Sequence, residues 1–326
     1  MRTLVTGGAG FIGSTLVDRL LAEGHEVEVL DDLSSGSLAN LADARAERTH
    51  RLTFHQIDVV DERAVDLVAI RAPEVVYHLA GRAGVRRSVR HPLDDAAVNV
   101  VGTLNVLEGA RRAGARKVVV AVSGGTAYGE VRPRNLPAKE SHALAPRSPH
   151  GVSARVVLEY LRLYRQLHDL EYTALALANV YGPRQRPADA TADHTDHDGH
   201  DGGVIATFAA RLLAGEECTI LGDGEQTRDF LYVDDCVDAF VRAAERGDGL
   251  VINVGTGVET SVNDLYLAMA GATGVDRPAR QAAAHAGEVQ RSALDAGRAA
   301  IQLGWRPWTP VEEGVARALE WHAGQA

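Results

Sequence analysis

Three glycines at regular spacing, Gly7, Gly10 and Gly13, follow a short apolar run at residues 2–6 and open a helical stretch that closes at Gly24. A second apolar run at residues 27–30 ends in Asp31-Asp32. Strand, glycine turn, helix, strand and acid in that order leave few folds open. Such glycines permit a tight turn, let backbone approach a pyrophosphate and bring helix close to strand; the helix N-terminus then faces the phosphates. A carboxylate at the end of the second strand can accept both hydroxyls of an adenosine ribose and repels a 2′-phosphate, which selects NAD over NADP. Gly7, Gly10, Gly13 and Asp31 are therefore candidate cofactor residues, with Phe11 and Ile12 between the last two glycines.

Similar units follow. Residues 53–57 read as a strand ending in Asp58-Val59, placed to contact adenine, and residues 61–70 as a helix. Residues 75–79 read as a strand ending at Leu79, followed by the small Ala80 and Gly81 that let backbone pass near a cofactor. A long helical stretch spans about 92–113 and holds Asn99; 117–122 is a valine-rich strand, 150–168 a helix and 173–177 a strand. Strands alternating with helices predict crossover connections and a parallel sheet covered on both faces, with ligands beyond the carboxyl ends of the strands. After residue 177 the elements shorten, as expected of a lobe that covers a substrate. Ser261 and Asp264 have the spacing of a helix capping box. The predicted architecture is α/β: a Rossmann-type doubly wound parallel sheet with a smaller, interleaved C-terminal substrate lobe. The expected division is a cofactor-binding part at 1–178, with a returning segment near 225–255, and a mainly substrate-binding part at 179–326.

Composition narrows the partners. A net charge of −10 argues against nucleic acid or an anionic membrane. No apolar run reaches membrane-spanning length, and strand-like residues begin at Arg2 with no leader before them. Two cysteines, Cys218 and Cys236, lack metal-ligand spacing and point to a reduced, cytoplasmic protein. His194, His197 and His200 fall among aspartates and glycines in a loop that reads as a polar insertion near the substrate entrance, so no metal is expected.

The chain resembles the extended short-chain dehydrogenase/reductase (NAD-dependent epimerase/dehydratase) family, and more closely its UDP-glucose 4-epimerase-like branch. The landmarks are Thr6-Gly7-Gly8-Ala9-Gly10-Phe11-Ile12-Gly13, His78-Leu79-Ala80-Gly81, Asn99-Val100-Val101-Gly102-Thr103, Ser123-Gly124-Gly125-Thr126-Ala127-Tyr128-Gly129, Asn179-Val180-Tyr181-Gly182-Pro183-Arg184-Gln185 and Gly222-Asp223-Gly224-Glu225-Gln226-Thr227-Arg228-Asp229. The resemblance implies an NAD cofactor, contacted also at Asn99, and a homodimer built on the helices near 92–113 and 150–168. It implies a small-molecule sugar nucleotide or nucleoside as substrate, met by Asn179, Arg184, Val204 and Arg228. It also implies a hydride taken from a sugar carbon and later returned, with Ser123 or Thr126 assisting the hydroxyl and Tyr128 structural or substrate-lining.

The chain departs from that family at its expected base. A Tyr-x-x-x-Lys pair is expected where this chain has His150 and Ala154, and Lys139 lies well upstream in a loop. Two readings stand: catalysis has been lost, or His150 is the base. Tyrosine, with an ordinary pKa near 10, needs a neighbouring cation to act as a base, whereas histidine, near 6.5, does not. A lysine beside histidine would disfavour the imidazolium, so replacing both residues together is what a change of base looks like. The dehydratase branch carries an Asp-Glu pair where this chain has Gly124-Gly125. An arginine expected shortly before Gly287-Glu288 reads as His285, which weakens one of two diphosphate clamps and keeps a monophosphate or a nucleoside in play. The expected function is transient oxidation of a sugar carbon, epimerisation and re-reduction. Dehydration by the same oxidation and a non-catalytic binding protein are the alternatives, and plain UDP-galactose 4-epimerase activity is not expected.

Overall fold

The computed structural model describes residues 1–46, 50–187, 202–284 and 289–325. Its centre is a seven-stranded sheet in which every neighbouring pair is parallel. The first six strands are β1 (Arg2–Thr6), β2 (Glu26–Asp31), β3 (Leu52–Gln56), β4 (Val75–His78), β5 (Lys117–Ser123) and β6 (Glu171–Leu177). The seventh, Leu250–Val254, returns from late in the chain and pairs with β6. The chain runs from β1 outward to β2 and β3, then crosses back to lay β4 on the other side of β1. That reversal is the topological switch point at which open α/β sheets bind ligands.

Both faces of the sheet are covered, and the strands show it residue by residue. Val5, Val29, Val119 and Leu175 enter one apolar core, shared with Leu16 and Val17 of the helix Phe11–Ala22 and with Val237 and Phe240 of the helix Val233–Ala243. Leu4, Leu30, Val76, Val118 and Val120 alternate with them into a second core, against Val106 and Leu107 of the helix Thr103–Ala113 and Val157 and Leu161 of the helix Pro149–His168. A period of two with both sides apolar is the signature of a strand buried on each face.

The sequence reading places most elements within a residue or two. Residues expected at 61–70 form the helix Arg63–Arg71, and those expected at 150–168 form Pro149–His168. Two features were not foreseen. Gly124–Tyr128 is a short helix, and the long stretch expected at 92–113 is interrupted by a π-helical segment, Ala97–Gly102, that holds Asn99. Ser261 does cap the helix Val262–Thr273, accepting from Asp264 N–H at 3.0 Å; its own hydroxyl donates to the Asp264 carboxylate. Among the described residues no helix is long and apolar enough to cross a membrane.

Candidate active site

The carboxyl ends of the strands open into two joined cavities. The smaller, of about 240 Å³, is lined by Gly7, Gly10, Gly13, Asp31, Asp58 and Val59. The larger, of about 580 Å³, is lined by Asn99, Ser123, Thr126, His150, Asn179 and Arg228, among others. Phe11, Ile12, Leu79, Ala80, Gly81 and Arg82 line both, so the two form one crevice.

The smaller end is shaped by the glycine turn. Gly7 adopts a φ of 68°, and a Cβ on it would lie 2.7 Å from Ala80 N. At Gly13 a Cβ would lie 2.1 Å from Gly7 O, so the helix can approach the strand this closely with glycine alone. Gly10 caps the helix Phe11–Ala22 without a side-chain bond, and no acid occupies its first turn. Its N–H groups are therefore left for an anion. Asp31 is buried, and its carboxylate accepts from Ala9 N–H at 2.9 Å and Leu33 N–H at 2.8 Å. Burial pushes its pKa up, and the two N–H bonds pull the other way. Asp58 accepts from Val60 N–H at 2.9 Å, which folds the end of β3 into a turn. A helix N-terminus open to an anion, beside a carboxylate at the end of β2, is an arrangement that suits a dinucleotide.

The larger end is built from strand ends and two helices. Ser148 caps the helix Pro149–His168 by accepting from Gly151 N–H at 3.2 Å, and Pro149 fixes the first turn. A Cβ on Gly151 would lie 2.4 Å from Thr126 O, so this helix is seated against the 123–126 turn and His150 is carried to the cavity wall. The His150 side chain is 15% exposed, and its Nδ1 lies 3.5 Å from both Asp95 Oδ1 and Asn99 Nδ2. Its Nε2 has no hydrogen-bond partner among the described residues and is not sealed from solvent. Ala154, one turn further along, lines the same cavity.

The two hydroxyl candidates separate. Thr126 donates back to Ser123 O at 3.3 Å, a bond internal to the turn. Ser123 stands at the N-cap of Gly124–Tyr128 but makes no side-chain cap bond, so its hydroxyl faces the cavity uncommitted. Beneath them His78 is buried between two threonines. Thr103 spends its proton on Asn99 O and so accepts from His78 Nε2, while Thr6 donates to Nδ1. Burial lowers the His78 pKa to about 4 and keeps the ring neutral.

Some expected residues stand elsewhere. Arg184 does not line the cavity; its Nη1 lies 2.7 Å from Asp18 Oδ2 and donates to Ser14 Oγ at 3.2 Å. Val204 starts the helix Val204–Leu213 and packs on the apolar core. Tyr128 is buried and donates to Asn253 Oδ1 at 2.8 Å, lining a separate cavity. His285, Gly287, Glu288 and the histidines at 194, 197 and 200 lie outside the described residues. Gln185, Ser292 and the Asp95 carboxylate behind His150 were not singled out from sequence. A signal existed for the last: Asp95 and Asn99 are four apart on one helical stretch, so they share a face.

Comparison with known proteins agrees along the whole chain. Residues 3–255 match the sequence profile of the NAD dependent epimerase/dehydratase family. A UDP-glucose 4-epimerase of Mycolicibacterium smegmatis is 48% identical over 321 residues, covering 98% of each chain. The structure of a UDP-glucose 4-epimerase with UDP-glucose from Thermotoga maritima superposes with a TM-score of 0.91 at 39% identity, covering 100% of this chain and 99% of that one. A UDP-glucose 4-epimerase of Thermus thermophilus in complex with NAD gives 0.89 at 35% identity, with full coverage of both.

Proposed function

The chain belongs to the NAD-dependent epimerase/dehydratase family, and on that premise we propose that it epimerises a nucleotide-linked or nucleoside sugar through transient oxidation, with His150 as the base. The observation that carries this reading is the open Nε2 of His150 on the wall of the crevice that also holds Ser123. When bound, NAD supplies the acceptor that takes the sugar's hydride and gives it back.

The chain's own residues handle the proton and the ligands. The Gly7–Gly13 turn and Asp31 hold the dinucleotide, with Asp58 and Val59 toward adenine and Asn99 shaping the wall near Gly81. Ser123 hydrogen-bonds the reacting hydroxyl, and its proton passes to His150 Nε2 as the carbonyl forms. The proton returns to the oxygen on re-reduction. Asn179 and Arg228 meet the nucleotide side of the substrate, and arginine's planar fork suits a phosphate there. Epimerisation is favoured over dehydration by the 124–125 position: both residues are glycine, and a Cβ on Gly125 would lie 2.7 Å from Ser292 Oγ. No acid for expelling water stands at those two positions.

Leu93, Val152, Leu163 and Leu167 are exposed on the helices Pro92–Ala96 and Pro149–His168. Val152, Leu163 and Leu167 fall on one stripe, and we assign it to the pairing of two copies. Two buried free cysteines, Cys218 and Cys236, suit a reducing cytoplasm.

The test begins with cofactor. Purified protein carries NAD(H), read by absorbance, and protein that neither carries nor takes up NAD ends the enzyme reading. Candidate sugar nucleotides are then turned over and weighed: an isobaric product supports epimerisation, and loss of one water assigns the dehydratase reaction. His150→Ala abolishes turnover while NAD stays bound; full activity in that variant removes His150 as the base.

A further inference from the structure

Asp95 lies on the short helix Pro92–Ala96, 3% exposed, directly behind the ring of His150. Its two oxygens are both engaged: Oδ2 accepts the Ser153 hydroxyl at 2.6 Å, and Oδ1 accepts Asn99 Nδ2 at 2.9 Å. The carboxylate is thus fixed from the side of His150 (Ser153 is one turn along the same helix) and from the π-helical segment that carries Asn99.

Counting protons decides what His150 Nδ1 meets. Asn99 Nδ2 has two hydrogens and three neighbours, Asp95 Oδ1 at 2.9 Å, Arg82 O at 3.0 Å and His150 Nδ1 at 3.5 Å. The two nearer acceptors take both hydrogens, so Asn99 has none to give the ring. Nδ1 then faces a carboxylate oxygen 3.5 Å away, and the favourable arrangement there is Nδ1–H toward Oδ1. That distance is longer than a formed charge-assisted bond, and sites without their reactants commonly hold such pairs loosely.

We infer that Asp95 is a positioning residue that holds His150 in the Nδ1–H tautomer and leaves the Nε2 lone pair aimed into the crevice. Its catalytic meaning rests on the reading of His150 as the base. The substrate hydroxyl gives its proton to Nε2, the ring becomes imidazolium, and the carboxylate opposite Nδ1 stabilises that charge without itself taking the proton. The proton goes back from Nε2 to the substrate oxygen when the carbonyl is reduced. Asp95 supplies orientation and counter-charge from behind the ring, and Ala154, which lines the same cavity, places no cation beside the imidazolium.

The tautomer is read directly from imidazole nitrogen NMR of ¹⁵N-histidine-labelled, NAD-bound protein, with His150→Ala assigning the signal. Wild type shows Nδ1–H. Asp95→Ala removes the acceptor opposite Nδ1, so the ring loses its preference for Nδ1–H and kcat falls by roughly 10²- to 10⁴-fold with KM and NAD content little changed. Ser153→Ala loosens the carboxylate and lowers kcat by about tenfold with the wild-type tautomer retained. A wild-type ring protonated on Nε2 overturns the inference even if Asp95→Ala does not fold, and so does an Asp95→Ala protein with the wild-type tautomer and kcat. Full turnover in His150→Ala overturns the base reading instead, while the NMR result alone still decides whether Asp95 sets the tautomer.

Discussion

Asn99 clasps the main chain of Arg82 from both sides: its Oδ1 accepts from Arg82 N–H at 2.8 Å, and its Nδ2 donates to Arg82 O at 3.0 Å. Arg82 lines both ends of the crevice, so one amide side chain sets the path of the wall between them. Two hydrogen bonds at about 1 kcal/mol each predict that Asn99→Ala weakens NAD binding by roughly 10- to 30-fold. Calorimetric titration of NAD into cofactor-free protein measures this, and unchanged affinity would mean that the loop holds its course without the clasp.

Ser123 and Thr126 are alike in sequence position but not in commitment. With an uncommitted hydroxyl at the crevice, Ser123→Ala is expected to lower kcat by about 10²-fold. Thr126→Val removes a bond to Ser123 O and should change kcat by no more than about threefold. Steady-state kinetics on the two variants separates them, and the reverse ranking would exchange their roles.

His78 makes stability depend on pH, with a sign that follows from its burial. The native ring has its pKa lowered to about 4, whereas the unfolded chain titrates near 6.5. Between those values the unfolded state binds more protons, so stability rises with pH. The contribution is fully present above about pH 6.5 and is lost as pH falls toward 4, reaching about 3 kcal/mol. His78→Gln can still donate to Thr103, and it should be less stable at pH 8 yet lose less on acidification. Urea melts of both proteins at pH 8 and pH 5 give the difference; parallel losses would assign the acid sensitivity to other groups.

Arg184 tests the distinction between motif and location. Its guanidinium ties the 179–185 turn to the helix Phe11–Ala22 through Asp18 and Ser14. Arg184→Ala should therefore cost about 1 kcal/mol of stability, a fall of roughly 2 °C in Tm. KM should stay within about twofold, since no lost bond reaches the crevice. A tenfold rise in KM with unchanged Tm would place Arg184 on the substrate after all.

These cases mark what could be read from the sequence and why. The alternation of Val118, Val119 and Val120 between two cores, and the glycine turn ahead of Asp31, are local patterns, and they gave the sheet and the cofactor end directly. His150 was legible because it stands where the family resemblance expects the tyrosine of a Tyr-x-x-x-Lys pair. Its partner was not, because Asp95 sits 55 residues away in sequence and the contact exists only once the two helices pack. Arg184 was misleading for a related reason: it follows Asn179 in a polar run, but a φ of 70° turns it back toward the first helix. The π-helical segment at Asn99 has no periodicity cue of its own.

The strand Leu250–Val254 that closes the sheet against β6 also bears on how the protein is made. A ribosome has released most of the chain before that strand exists, and until then β6 presents an unpaired edge. Gene fusions that swap one half at residue 178 would set a foreign seventh strand against β6, so working chimaeras should carry residues 250–254 with the half they complete.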